Sequence, residues 1–374
     1  MRGAGNYRNG GFENNKKTFM NVMVTGYPYA RQNYRDFFEK SGAYFVLPKV
    51  WKIKGGKTMY RTNPSNQIVV TSAFFHHSHY PIIGGLLKGW MPLAPFYMWK
   101  IKRKHGAKIV FDAVEPYLLT SLFNAFFAKL LGLKYIAFSW QNVKIPHRFV
   151  LFLNFLFIDA VVCGNQKCLK IFQKITKKPL AQIPLAGLDC EKFKLKANRP
   201  KKEKTVFLFV GALDYRKGVH VLLEAFKKII DAELIVVGSG TYEDEIKSQI
   251  KVIPWADHET IIGLLAAADI FVYPSISYGG WEEQFGYSMA EASLMELPII
   301  TTRTGSIEEV VIDGKTGLLV SPDNPNEFSL AMAKLAGDPI LRDTMGKAGR
   351  EFILKNFNNK TITGAYDSFF NSLS

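Results

Sequence analysis

Short apolar runs rich in β-branched residues recur along this chain, and stretches with helical spacing lie between most of them. In the first half the runs are Asn21–Thr25, Gln67–Thr71, Lys108–Phe111, Lys134–Phe138, Asp159–Cys163 and Gln182–Leu185. None alternates strictly between apolar and polar residues, as expected when both faces of a sheet are covered. Strand and helix in succession predict a parallel sheet with right-handed crossovers. A basic stretch, CEKFKLKANRPKKEK (190–204), then breaks the rhythm. It contains Pro200 and little apolar content, and reads as a linker. The rhythm restarts with TVFLFVG (205–211), ELIVVG (233–238), KVIPW (251–255), DIFVYP (269–274) and PIITT (298–302). Helical patterns at 219–230, 258–268 and 288–297 lie between them. The expected fold is α/β, with two tandem Rossmann-like, doubly wound domains. Ligands of such sheets bind beyond the carboxyl ends of the strands, which places a site in the cleft between the domains.

A length of 374 residues fits two domains. The expected division is a polar N-terminus (1–17), an N-terminal domain (18–190), the linker (191–204), a C-terminal domain (205–355) and a tail helix (356–374) that packs back on the first domain. At 48% hydrophobic and 21% charged, the composition excludes a mainly disordered chain. The net charge of +16 divides unevenly. Residues 1–200 hold 31 Lys/Arg against 8 Asp/Glu, a net of +23; the remainder holds 17 against 24, a net of −7. Such charge speaks to partners rather than fold, and nucleic acid, anionic membrane and phosphorylated substrates are the candidates.

Cys163, Cys168 and Cys190 form no disulfide framework and have no zinc-ligand spacing. They are expected to be reduced, which favours the cytoplasm. The N-terminus has no apolar region of a signal peptide. The most apolar runs are Tyr117–Ala128 and Phe149–Ile158. Lys129 ends the first, Arg148 and Asp159 bracket the second, and both fall short of the roughly 20 residues of a spanning helix. Both are expected to be buried helices flanking the first sheet, with monotopic insertion into a membrane as the alternative.

Three segments carry chemistry. In EEQFGYSMAEASLMELP (282–298) a glycine- and aromatic-rich loop leads into a helix near Tyr287 or Ser288. Free N–H groups at that helix start form an anion site, and Gly286 permits close approach. Glu283 in the loop and Glu291 in the helix can face one ligand, and two carboxylates suit a molecule with two sugars. Glu291 reads equally well as a solvated helix residue. In FVGALDYRKGVHVLLEAF (209–226), Arg216 and Lys217 lie between the strand ending at Gly211 and the next helix. Cations there suit a pyrophosphate, although taken alone the segment reads better as a solvated basic turn. VVGSG (236–240) adds Gly238 and Gly240 at a strand end, without a complete dinucleotide fingerprint.

Residues 205–350 resemble the nucleotide-sugar-binding domain of the retaining glycosyltransferases of family 4, which have the two-domain GT-B fold. GALDYRKG, VVGSG, DIFVYPS, EEQFGYSMAEA and PIITTRTGSIEEVVIDGKTGLLV carry the likeness, with Glu283 and Glu291 on the family's E-x7-E motif. A weaker match covers about 108–190. The resemblance implies that Glu283 contacts the transferred sugar and Glu291 the ribose hydroxyls. Gln284, Phe285, Gly286, Tyr287 and Ser288 would hold sugar and phosphate, and Arg216 and Lys217 the pyrophosphate. Gly211 and Gly238 would line the donor site, with PWADHE (254–259), which begins at Pro254, near the nucleobase. Gly26, Gln141, Asn142 and Glu115 are candidate sugar or acceptor contacts. The chain departs from the family in three places. Ala212 stands where many members have Arg, Gly26 stands alone in its loop, and Trp140, Gln141 and Asn142 stand where a His is common. The implied activity is metal-independent transfer of a hexosyl group (EC 2.4) from a UDP-, GDP- or ADP-sugar, with no cofactor. A nucleotide-sugar epimerase and a non-catalytic nucleic-acid or membrane-binding protein are the alternatives.

The run LLKGWMPLAPFYMWKIKRK (86–104) mixes aromatics with cations. Trp90, Trp99, Lys100, Lys102, Arg103 and Lys104 are its candidate membrane contacts. A second basic-aromatic run is KVWKIKGGKTMYR (49–61). The expected setting is peripheral, at the inner face of an anionic membrane, with a glycan or lipid-linked acceptor and no nucleic acid; a solvated basic face over an ordinary aromatic core is the alternative. His76, His77 and His79 lack the further ligands of a metal site and are expected to line the acceptor pocket or lie exposed.

Overall fold

The computed structural model describes residues 18–30, 32–52, 59–76, 83–195, 203–247, 250–254 and 256–373. The first half opens with β1 (Val22–Thr25), α1 (Gln32–Lys40) and β2 (Tyr44–Pro48). A hairpin, β3 (Val50–Lys52) and β4 (Met59–Arg61), precedes β5 (Ile68–Thr71). Next come α2 (Ile83–Leu86), α3 (Ala94–His105), β6 (Ile109–Asp112), α4 (Leu119–Leu130) and β7 (Lys134–Ser139). The half closes with α5 (Arg148–Asn154), β8 (Ala160–Cys163), α6 (Gln166–Gln173) and β9 (Leu180–Gln182). Its sheet runs β5-β2-β1-β6-β7-β8-β9, with every pair parallel. Val24 sits between Phe45 and Phe111.

The second half comprises β10 (Thr205–Val210), α7 (Val219–Phe226), β11 (Ala232–Val237), α8 (Glu243–Lys247), β12 (Lys251–Ile253), α9 (His258–Ala267) and β13 (Ile270–Tyr273). It continues with α10 (Tyr287–Leu294), β14 (Ile299–Thr302), β15 (Gly317–Val320), α11 (Pro325–Gly337), α12 (Pro339–Asn356) and α13 (Asn359–Ser372). Its parallel sheet runs β12-β11-β10-β13-β14-β15. Central strands such as β1, β6 and β13 are buried along their whole length, which explains their continuous apolar character.

The last helix belongs to the first core. Ile362, Tyr366 and Phe370 of α13 are buried with Phe38 of α1 and Phe111 of β6. The other face of that sheet is covered by Met98 and Ile101 of α3, Ala125 and Ala128 of α4, Leu151 of α5 and Phe172 of α6. The chain crosses back at Leu188, whose N–H donates to the Phe357 carbonyl at 2.8 Å and whose carbonyl accepts from Asn359 N at 3.0 Å.

Several sequence expectations need correction. Tyr44–Pro48, the β3–β4 hairpin and Gly317–Val320 are strands that the periodicity did not single out. The last strand of the first sheet is Leu180–Gln182 rather than Gln182–Leu185. The basic stretch at 190–204 begins as packed structure, with Cys190–Lys192 a 3-10 turn and Phe193 buried in the second core. Residues 196–202 lie outside the described residues. The helices at Tyr117–Ala128 and Phe149–Ile158 are not wholly buried. Phe126, Phe149, Phe152 and Leu156 are exposed, because only one face of each helix reaches the sheet.

Candidate active site between the two sheets

In each sheet the strand order reverses next to the first strand, between β1 and β6 and between β10 and β13. Loops leaving those strand ends diverge and open a crevice. In the second half the crevice holds the charged residues singled out in the sequence. The loop after β10 turns at Asp214, whose carboxylate accepts from Lys217 N at 3.2 Å. Gly218 then adopts φ +65°, and a Cβ there would lie 1.8 Å from the Pro274 carbonyl oxygen. Only glycine lets this loop lie against the end of β13.

This contact brings Lys217 to Glu283. Lys217 Nζ donates to Glu283 Oε2 at 2.6 Å and to Tyr273 Oη at 2.6 Å. Tyr273 Oη donates to the same Glu283 oxygen at 3.1 Å, and Ser275 Oγ donates at 3.3 Å. Glu283 is 6% exposed. A carboxylate so enclosed requires a compensating charge, and Lys217 supplies it. Its neighbourhood drives the Tyr273 hydroxyl well above its ordinary pKa, through burial first and the Glu283 charge second. Trp281 roofs the cluster, with Lys217 Nζ 4.6 Å and Arg216 Cζ 4.9 Å from its ring. Arg216 also pairs with Asp214 at 2.6 Å and is half exposed. Glu283 is fixed from behind, since Gly305 (φ +61°) lies so close that a Cβ there would stand 1.9 Å from the Glu283 carbonyl oxygen.

Gly286 (φ +83°) precedes α10, which starts at Tyr287. Gly211 and Gly238 meet at the ends of β10 and β11, where a Cβ on Gly238 would be 1.8 Å from the Gly211 carbonyl oxygen. Pro254 follows β12, and Ser288 lies in the first turn of α10. Glu291 has different surroundings from Glu283. Its Oε1 lies 3.5 Å from His258 Nε2, and this bond raises the imidazole pKa. Both line a pocket with Tyr34, Gly187, Lys192 and Tyr287.

The first half closes the crevice. Asn142 Nδ2 donates to the Glu283 carbonyl at 2.9 Å, and Asn165 Nδ2 donates to that of Gln284 at 3.2 Å. Phe285 packs on Trp140, with ring centres 6.1 Å apart. Tyr287 Oη accepts from Ala186 N at 3.1 Å and donates to the Ala186 carbonyl at 3.0 Å. The amide of Asn142 thus binds the Glu283 loop rather than pointing into open space. The Gln141 amide is also engaged, with Lys144 and Tyr117. Gly26 (φ +116°) packs against Ala113 beyond β6. Glu115 accepts from Ser139 Oγ at 2.6 Å and Trp140 N at 3.0 Å. Burial raises its pKa to about 7, against these two bonds, which lower it.

Tyr273, Ser275, Trp281 and Asn165 were not singled out in the sequence, and His258 was named only within PWADHE. The aromatic-rich loop around Trp281 and the tyrosine closing DIFVYP were the available signals. Among the candidate membrane contacts, Trp99, Lys100, Arg103 and Lys104 are exposed. Trp90 and Lys102 are not surface anchors. Trp90 packs between Phe74 and Phe123, and the Lys102 ammonium is held by the Leu131 carbonyl. His76 packs on Trp51, while His77 and His79 lie outside the described residues. Among the described residues no cluster of His, Cys, Asp or Glu could hold a metal ion.

Residues 191–352 match the family model described as glycosyl transferases group 1. The glycogen synthase of Mycobacterium tuberculosis is 28% identical over 201 residues, 50% of this chain and 47% of that protein. The GDP-mannose-dependent monoacylated alpha-(1-6)-phosphatidylinositol monomannoside mannosyltransferase of Corynebacterium glutamicum is 34% identical over 151 residues, 37% of this chain and 39% of that protein. The matches span about half or less of the length of these relatives. Anabaena HepE in complex with UDP superposes with a TM-score of 0.72 at 16% identity, covering 94% of this chain and 99% of that one. HepE has also been solved with UDP-glucose. The chain has the GT-B fold, and residues 191–352 form a domain of the glycosyl transferases group 1 type.

Proposed function

We propose that this protein is a metal-independent, retaining glycosyltransferase of family 4. In this reading it moves a hexosyl group from a UDP-, GDP- or ADP-sugar to a glycan or lipid-linked acceptor. The observation that carries the proposal is the Glu283–Lys217–Tyr273 cluster at the reversal point of the second sheet, capped by the first half. The relatives that are transferases and the UDP-glucose complex of HepE support it.

The donor's diphosphate lies at the start of α10, where backbone N–H groups of 285–288 and the cations Arg216 and Lys217 face it. Glu283 accepts from sugar hydroxyls and holds the anomeric carbon in place. Glu291 exchanges His258 for the ribose hydroxyls. The bond from the anomeric carbon to the phosphate oxygen breaks, and the acceptor oxygen bonds to the same face. The acceptor's proton passes to the departing phosphate. The protein contributes positioning and stabilisation of the charge that builds on that phosphate.

A thermal-shift screen with UDP-, GDP- and ADP-sugars identifies the donor, since a ligand bound to the folded state raises apparent stability. Glu283→Ala and Lys217→Ala are each expected to lose most transfer while keeping a native far-UV spectrum. Near-normal turnover in either variant overturns the assignment. Isomerised donor formed without acceptor would instead identify an epimerase.

A further inference from the structure

We propose that the outer surface of α3, α4 and α5 is an interfacial docking face that seats the first half on an anionic lipid surface. The inference goes beyond sugar transfer and does not depend on it.

These three helices lie side by side, with α4 packed between α3 and α5. Each turns small or apolar residues inward and large apolar ones outward. On α5, Phe149, Phe152 and Leu156 follow one helical face and its continuation, and they are 73%, 69% and 67% exposed. On α4, Phe126 and Leu130 stand one turn apart and are exposed, and Phe126 meets Phe157 edge-on at 5.5 Å. At α3, Leu93, Phe96 and Trp99 are exposed, and the last two rings lie 5.9 Å apart. Single exposed apolar residues are ordinary, but a surface that gathers them from three adjacent helices marks an interaction site.

The charge around this surface selects the partner. Between residues 86 and 158 there are ten Lys/Arg and two acidic residues. Those two, Asp112 and Glu115, are bound inside the fold to Tyr135 and Asn124 and to Ser139. Lys129 of α4 is neutralised by Asp159 at 2.6 Å, and the remaining outward groups are cationic, including Lys100, Arg103 and Lys104 at the end of α3 and Arg148 at the start of α5. Arg103 stacks on Trp99, with Cζ 5.5 Å from the ring. Apolar and aromatic anchors bordered by Lys and Arg fit the acyl–headgroup boundary of an anionic leaflet. A second copy of this basic face would meet like charge with like. No helix among the described residues is long and apolar enough to cross a membrane.

The test is flotation of the full chain with phosphatidylcholine vesicles, with and without phosphatidylglycerol. Wild type is expected to float only with the anionic vesicles. Phe149→Ser with Phe152→Ser is expected to weaken partitioning about tenfold or more, through loss of inserted apolar area. Lys100→Glu with Arg103→Glu and Lys104→Glu is expected to weaken it on the order of a hundredfold. Exposed positions leave the fold intact, so both variants should keep the wild-type melting temperature and nucleotide-sugar shift. The proposal fails if wild type floats with neither vesicle or if both variants float like wild type. It also fails if the phenylalanine variant changes only the oligomeric state, which would assign the face to another copy of the chain.

Discussion

Glu115 shows how one buried carboxyl couples the first half to pH. Its two hydrogen bonds favour the charged form, yet burial outweighs them and raises the pKa from 4.5 to about 7. The folded state therefore holds a proton that the unfolded chain has released. Stability falls as pH rises from 4.5 to about 7, and stays at the lower level above that. Glu115→Gln removes the charge while its carbonyl still accepts from Trp140 N, and the Ser139 hydroxyl rotates to accept from the new amide. The variant is expected to match wild type at pH 4.5 and to exceed it in urea unfolding above pH 7. A constant difference across that range would show that Glu115 does not titrate within it.

At the scale of elements, the crevice depends on two loops held by glycine. Gly218 seats the β10 loop against Pro274, and Gly305 seats the β14 loop against Glu283. Gly218→Ala combines a positive φ with an overlap against backbone, and is expected to cost about 1–3 kcal/mol or more in urea unfolding. It should also weaken nucleotide-sugar binding, because Lys217 moves with the loop. Unchanged binding would separate the loop from the site. These loops were legible in the sequence because GALDYRKG and EEQFGYS combine glycine, charge and a following helix. The strands around them were legible as β-branched runs. β2 (YFVLP) and β15 (GLLV) were not, and each carries a single β-branched residue. The partners of Glu283 and Glu291 were also hidden. Lys217 is 66 residues from Glu283 and His258 is 33 from Glu291, and periodicity carries no information at such distances. Nor can a run such as FVLFLNFLFI tell which of its apolar residues meet the sheet. The fold sends Val150 and Leu151 inward and Phe149 and Phe152 outward.

For the whole molecule, the division at the basic stretch is not a division into separable parts. Bonds from Asn142, Asn165 and Tyr287 tie the halves at the crevice, and Lys167 pairs with Glu282 at 2.7 Å across it. The tail makes the dependence stronger, since α13 follows the second half in sequence but completes the core of the first. Tyr366 is fully buried, with its ring 5.1 Å from Phe38 and 5.3 Å from Phe111, and Tyr366 Oη donates to the Pro184 carbonyl at 3.0 Å. Tyr366→Ala is expected to cost about 3–5 kcal/mol, as for other large buried aromatics. Tyr366→Phe keeps the ring and is expected to lose only about 1 kcal/mol with the hydrogen bond. The loss in the alanine variant falls on the first half, because the rings that touch Tyr366 belong to it or to α13. Denaturant should then unfold that half first, in a window where fluorescence of its tryptophans has changed and the second half still binds nucleotide sugar. A single transition in the alanine variant, with binding lost at the same midpoint, would mean that the crevice bonds couple the halves more strongly than either core resists unfolding.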